Sequence, residues 1–183
     1  MEPIFTPAED SEAPAVAKTF DILPDPNLKN FIPPAYGTPF SSALDVFAQT
    51  DLVITEKTQM IDLGFKAEFP ADFACLLMPR SGYGAKFGLA LANTLGLIDP
   101  DYRGTWMAAA WLHEGGTKSE TIESGAFDDF KGRCKFELHI PRGEALGQLL
   151  FVRTGRLLPN IVSELSETVR GEGGFGSTNK ANK

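Results

Sequence analysis

The feature that most restricts this chain is its short-run grammar, with no sustained helical period anywhere. From Lys18 onward, apolar runs of four to eight residues alternate with Pro, Gly, Asn and Asp. Ala43 to Ala48, Leu52 to Thr55, Met60 to Phe65, Phe73 to Met78, Thr105 to Leu112, Phe136 to Ile140, Leu149 to Arg153 and Ile161 to Leu165 all have strand length and strand punctuation. Only Ser81 to Phe87, after a Pro-Arg pair, suits a short helix. Short strands at this spacing point to an all-β barrel or sandwich, and no fixed-period repeat suggests an array. With 183 residues, 43% hydrophobic and 22% charged, the chain can build one domain with its own core.

Charge and cysteine usage exclude several function classes. A net charge of -7 is opposite to the basic stripe of a general nucleic-acid binder, so any phosphate site must be local. Cys75 and Cys134 are far apart and form no C-x-x-C, which indicates neither a disulfide framework nor a zinc knuckle. His113 and His139 are the only histidines and form no H-x-x-x-H pair, which argues against a His-based zinc enzyme. Met1 precedes Glu2 and Pro3 rather than a basic and then apolar run, and no apolar stretch approaches spanning length. A reduced, cytoplasmic setting without membrane contact is expected. Residues 1–17, rich in Pro, Ala and acidic side chains, read as a disordered lead-in.

Four stretches carry chemistry. Asp45 interrupts the apolar run SSALDVFA, and a carboxylate there must face solvent or meet a cation or donor. In MPRSGYGAKFGL, Arg80, Ser81 and Gly82 follow a strand end and open the short helix, a suitable anion cradle. Its spacing is G-x-G-x-x-x-G without a βαβ unit, so it is not a dinucleotide fingerprint. In LGLIDPDYRGTW, Asp99, Pro100 and Asp101 form a turn between two apolar segments, read as a β-hairpin with two carboxylates at its tip. Asp99 there is a general-base candidate. The tail RGEGGFGST has Walker A glycine spacing in Gly171 and Gly176, but Ser177 stands where the lysine belongs and no helix can follow. It reads instead as a flexible arm whose amides and hydroxyls close over phosphates, with Arg170 for charge and Phe175 for base stacking.

Together, PRSGYGAKFGL and NTLGLIDPDYRG resemble the second and third motifs of the trimeric deoxyuridine triphosphatases, the dUTPases. Asp45 lies where the first motif places its aspartate, GEALGQLLF resembles the fourth motif, and RGEGGFGST is similar to the fifth. The resemblance implies a distorted jelly-roll domain over 18–169, a C-terminal arm over 170–183, and hydrolysis of dUTP to dUMP and pyrophosphate with Mg²⁺. It implies that Asn93, Leu95 and Gly96 read uracil, that Tyr102 lies under the deoxyribose and that Phe175 stacks on the base. Asp99 would activate water; Arg80, Ser81, Gly82, Gln148, Arg170, Gly176, Ser177 and Thr178 would bind phosphate. Asp45 would meet Mg²⁺ through its water shell, and the active sites would be shared within a homotrimer.

Three departures stand out. Ala145 replaces the usual fourth-motif arginine, with Arg142 and Arg153 as candidates to stand in; Ala43 replaces a first-motif glycine; and 113–135 is longer than a hairpin connection. That segment is a tolerated insertion or a contact for a protein partner. Two other functions share the scaffold: a dCTP deaminase, alone or bifunctional, and a non-enzymatic regulator acting through 113–135.

Overall fold

The computed structural model describes residues 18–113 and 137–173. The lead-in, nearly all of the 113–135 segment, and Phe175, Gly176, Ser177 and Thr178 of the arm lie outside the described residues. The elements in order are β1 (Asp21–Pro24), β2 (Ala35–Tyr36), β3 (Leu44–Phe47), β4 (Leu52–Ile54), β5 (Gln59–Asp62), β6 (Phe65–Glu68) and β7 (Phe73–Pro79). There follow α1 (Ser81–Phe87), β8 (Leu89–Leu91), β9 (Gly96–Ile98), β10 (Met107–Leu112), β11 (Leu138–Ile140) and β12 (Ala145–Arg153). Among the described residues this is the mostly-β architecture with one short helix that the punctuation implies, and it is jelly-roll-like as the family resemblance implies.

A five-stranded sheet in the order β2-β3-β12-β7-β9 organises the rest, accompanied by β5-β10-β8 and by the pairs β1-β6 and β11-β4. All pairings are antiparallel. Period-two patterning decides which way each strand faces: Phe65 and Ala67 of β6 are buried while Lys66 and Glu68 are exposed. In β10, Ala108, Ala110 and Leu112 point inward, leaving Met107, Ala109 and Trp111 on the outer face. Trp106, Phe65, Ile54, Leu63, Ile140, Leu149 and Val46 form the deepest core. Phe65 and Phe69 both pack against Trp106, with ring centroids 5.2 and 6.2 Å away.

Three expectations are corrected. The run Met60 to Phe65 is two strands, because Gly64 at φ 82 turns the chain between β5 and β6. A Cβ there would lie 2.6 Å from Leu28 Cδ1 and 2.8 Å from Gln49 Cγ, so the turn is closed to other residues. Ile161 to Leu165 is not a strand, since residues 154–173 contain none and Ile161 is 99% exposed. Finally, Leu95 to Leu112 is not a hairpin. The turn exists, with Tyr102 N–H donating to the Asp99 carbonyl at 3.1 Å, but β9 pairs with β7 whereas β10 pairs with β5 and β8. Burial of Trp106 at 1% exposure draws the chain after the turn into the other sheet. No helix among the described residues is long and apolar enough to cross a membrane.

Candidate active site

Three of the singled-out residues, more than thirty residues apart in sequence, converge on the five-stranded sheet. Gln148 on the central strand β12 is in register with Asp45 on one side and Met78 on the other. Its Nε2 donates to Asp45 Oδ1 at 3.1 Å. Arg80 follows directly on β7, and its Nε lies 3.5 Å from the same oxygen. The Asp45 side chain is only 14% exposed, so the cation and donor that a carboxylate in an apolar strand requires are both present. Gln148 comes this close because the β-bulge falls between Ala145 and Gly147, and a Cβ on Gly147 would stand 2.9 Å from the Met78 carbonyl. Ser81 and Gly82 begin α1 beside Arg80 and have no side-chain cap bond.

A second group occupies the far edge of the same sheet. As the edge strand, β9 pairs among the described residues only with β7, so part of its backbone donors and acceptors faces outward. Ahead of it, Asn93 to Leu95 make a tight turn in which Leu95 N–H donates to the Asn93 carbonyl at 2.6 Å. Thr94 between them takes φ 63, a region a β-branched residue rarely enters and one that stores strain of roughly 1–3 kcal/mol. Gly96 lies against Leu77, where a Cβ would be 3.1 Å from Leu77 Cβ. Just past β9, Asp99 is exposed. Tyr102 is 48% exposed and donates through Oη to the Thr105 carbonyl at 3.2 Å.

The two groups do not meet within one chain. Ile98 pairs with Cys75 while Gln148 pairs with Met78, which sets Asp99 about four residues along the strand from Gln148 and Asp45. Three strand spacings also separate β9 from β3. At ~3.3 Å per residue and ~4.8 Å per strand, Asp99 is about 20 Å from Asp45. Arg170 joins neither group: its Nε donates to the Gly173 carbonyl at 2.7 Å within its own turn.

Two features escaped the sequence. Arg103 ties the Asp99 turn down, donating to the Pro100 carbonyl at 2.7 Å and pairing with Glu68 at 2.8 Å. The Pro100 contact is three residues away and could have been guessed; Glu68 is on another sheet and could not. Nor does either arginine replace the one missing at Ala145, which is buried opposite Phe47. Arg142 is bound to the Gln49 and Asn30 carbonyls, and Arg153 lies 5.6 Å over the Phe73 ring. Gln148 is supported by Asp45 instead.

Comparison with solved structures identifies the fold. A dUTPase of Staphylococcus bacteriophage 80alpha, in complex with dUpNHpp, superposes with a TM-score of 0.69 at 24% identity, covering 87% of this chain and 97% of its own. A dUTPase of phage phi11 of S. aureus, whose structure describes coordination of a structural Mg(II) ion, gives 0.62 at 21% identity over 81% and 99%. Both share the all-β fold. In sequence, the dUTPase family profile matches residues 29–117. A deoxyuridine 5'-triphosphate nucleotidohydrolase of Serratia proteamaculans (strain 568) is 35% identical over 161 residues, 85% of this chain and 93% of the relative. One of Thiobacillus denitrificans (strain ATCC 25259 / T1) is 39% identical over 152 residues, 80% and 90%. The chain belongs to the dUTPase family.

Proposed function

We propose that this enzyme hydrolyses dUTP to dUMP and pyrophosphate in active sites assembled from different copies of the chain. The observation that carries the reading is the convergence of Arg80 and Gln148 on Asp45 while Asp99 stands about 20 Å away on the same sheet. A charge-neutralising phosphate cluster and a general base so separated can act together only across chains. Two apolar surfaces support assembly. Met60, Met107, Ala109 and Trp111 line the outer face of β5-β10-β8, and Leu157, Leu158, Ile161, Leu165 and Val169 are almost fully exposed beyond the barrel. A homotrimer would bury the first and let the second run across a neighbour, carrying Arg170, Phe175, Gly176, Ser177 and Thr178 to its site.

In this reading uracil pairs with the outward backbone of the Asn93 to Gly96 turn, aided by the Asn93 amide, and the deoxyribose rests on Tyr102. The Asp99 carboxylate makes no hydrogen bond or ion pair among the described residues, leaving it free to take a proton from water. The water oxygen then attacks the α-phosphorus in line, the bond to the bridging oxygen breaks, and pyrophosphate leaves. Arg80, Ser81, Gly82 and Gln148 orient and neutralise the phosphates, which is most of what phosphoryl transfer requires.

The donor set suits Mg²⁺ in one manner. Among the described residues no three His, Cys, Asp or Glu side chains are grouped to hold a metal, and Asp45 offers a single carboxylate already bonded to Gln148. Mg²⁺ keeps several waters and takes phosphate oxygens readily, so it would bind with the nucleotide and contact Asp45 through water. Once bound it would add charge neutralisation at the triphosphate. The test is pyrophosphate release from dUTP in Mg²⁺, with dCTP, dTTP and UTP in parallel and ammonia followed for dCTP. Turnover of dUTP alone is expected; ammonia from dCTP would move the chain to the deaminases of this fold, and no turnover of dUTP would end the reading.

A further inference from the structure

The reading just given makes Tyr102 the seat of the sugar, and the inference here rests on it. We infer that Gly104 is a positioning residue for sugar selection, required so that the Tyr102 ring can lie flat over the backbone where a ribose would otherwise be accommodated.

Gly104 is not a glycine for backbone reasons. It is absent from the positions with positive φ, so its conformation is open to any residue. What excludes a side chain is the ring two residues earlier. A Cβ on Gly104 would stand 2.5 Å from Tyr102 Cζ and 2.9 Å from Cε2, and closer still to Oη. The ring therefore occupies the volume that a side chain at 104 would fill, and Tyr102 Oη anchors it there by donating to the Thr105 carbonyl at 3.2 Å. Tyr102 is 48% exposed, so the ring has solvent to move into once that single hydrogen bond is broken. A methyl at 104 should displace the ring rather than unfold the chain.

This separates specificity from stability. With the ring flat, its height above the backbone is set at the thickness of one aromatic face, leaving deoxyribose a floor and no depth for a 2′-hydroxyl. With the ring pushed out, dUTP loses the contact and UTP loses less, because it had less to lose. The Arg103 clamp on Pro100 and Glu68 keeps the turn itself in place, so Asp99 need not move with the ring.

The experiment measures kcat/KM for dUTP and UTP in the wild-type chain, Gly104→Ala, Tyr102→Ala and the double variant, with unfolding midpoints for each. Gly104→Ala should keep the wild-type midpoint, raise KM for dUTP more than it lowers kcat, and reduce the dUTP-to-UTP preference about tenfold or more. The double variant should match Tyr102→Ala, since without the ring the methyl has nothing to displace. An unchanged preference in Gly104→Ala, or a double variant worse than Tyr102→Ala, overturns the inference while leaving dUTP hydrolysis intact. If Gly104→Ala does not fold but the double variant does, the glycine seats the ring for the fold rather than for sugar selection and the inference falls; if neither folds, something other than the ring excludes the methyl and it falls as well. A wild-type chain with no preference for dUTP over UTP would instead remove the reading of Tyr102 itself.

Discussion

Sharing of active sites can be tested by giving one lesion to each of two chains. Asp99→Asn alone should fold, bind nucleotide and lose ~10²- to 10⁴-fold in turnover, because it keeps the shape and removes the base. Arg80→Ala alone should lose phosphate neutralisation at the Asp45 cluster. Strand register sets these residues apart: Arg80 lies two residues beyond Met78, and Asp99 one residue beyond Ile98, which pairs with Cys75. Along β7 that is six residues, or about 20 Å, further than any side chain spans. Co-refolding the two variants in equal amounts produces mixed assemblies. Half of the chains then supply an intact Asp99 and the other half an intact Arg80. A site drawing these from two different chains is whole in about one quarter of cases, so pyrophosphate release should return to about a quarter of the wild-type rate. If each site lay within one chain, every site would retain one lesion and mixing would restore nothing. A mixture no more active than the average of its components therefore refutes the shared-site geometry.

Further outcomes follow from single positions. Gly64→Ala should cost about 2–4 kcal/mol in urea unfolding, since it adds φ strain and contacts with Leu28 and Gln49; an unchanged midpoint would contradict the tight turn. Burial pushes the Cys75 thiol up to about 12 from an ordinary value of 9.0. Because the unfolded chain releases that proton first, stability from this group is complete below pH 9 and falls as pH rises towards 12. Cys75→Ala should flatten the alkaline decline in urea midpoint, and an identical decline in both proteins would remove this group as a cause. Truncation after Val169 should leave the barrel's unfolding unchanged while lowering pyrophosphate release by about 10²-fold or more. A fully active truncation would contradict the arm's role.

The strand grammar, the short helix at Ser81 and the loop-borne Asp99 were legible in the residues because they depend on local sterics: period-two patterning, proline and glycine punctuation, turn geometry. Motif order likewise pointed to the family before any coordinate. Partnership was not legible. Nothing near Ile98 says that β9 joins β7 rather than β10, because both choices satisfy the same alternation and only the burial of Trp106 against Phe65 and Phe69 separates them. Nor could spacing reveal that Gln148 and Arg80 meet on Asp45, that Arg103 reaches Glu68, or that Arg142 is spent on the Gln49 and Asn30 carbonyls. Local chain chemistry decides what each segment can be; which segments touch is decided by how the whole set buries its apolar faces at once, and that competition is resolved only in three dimensions.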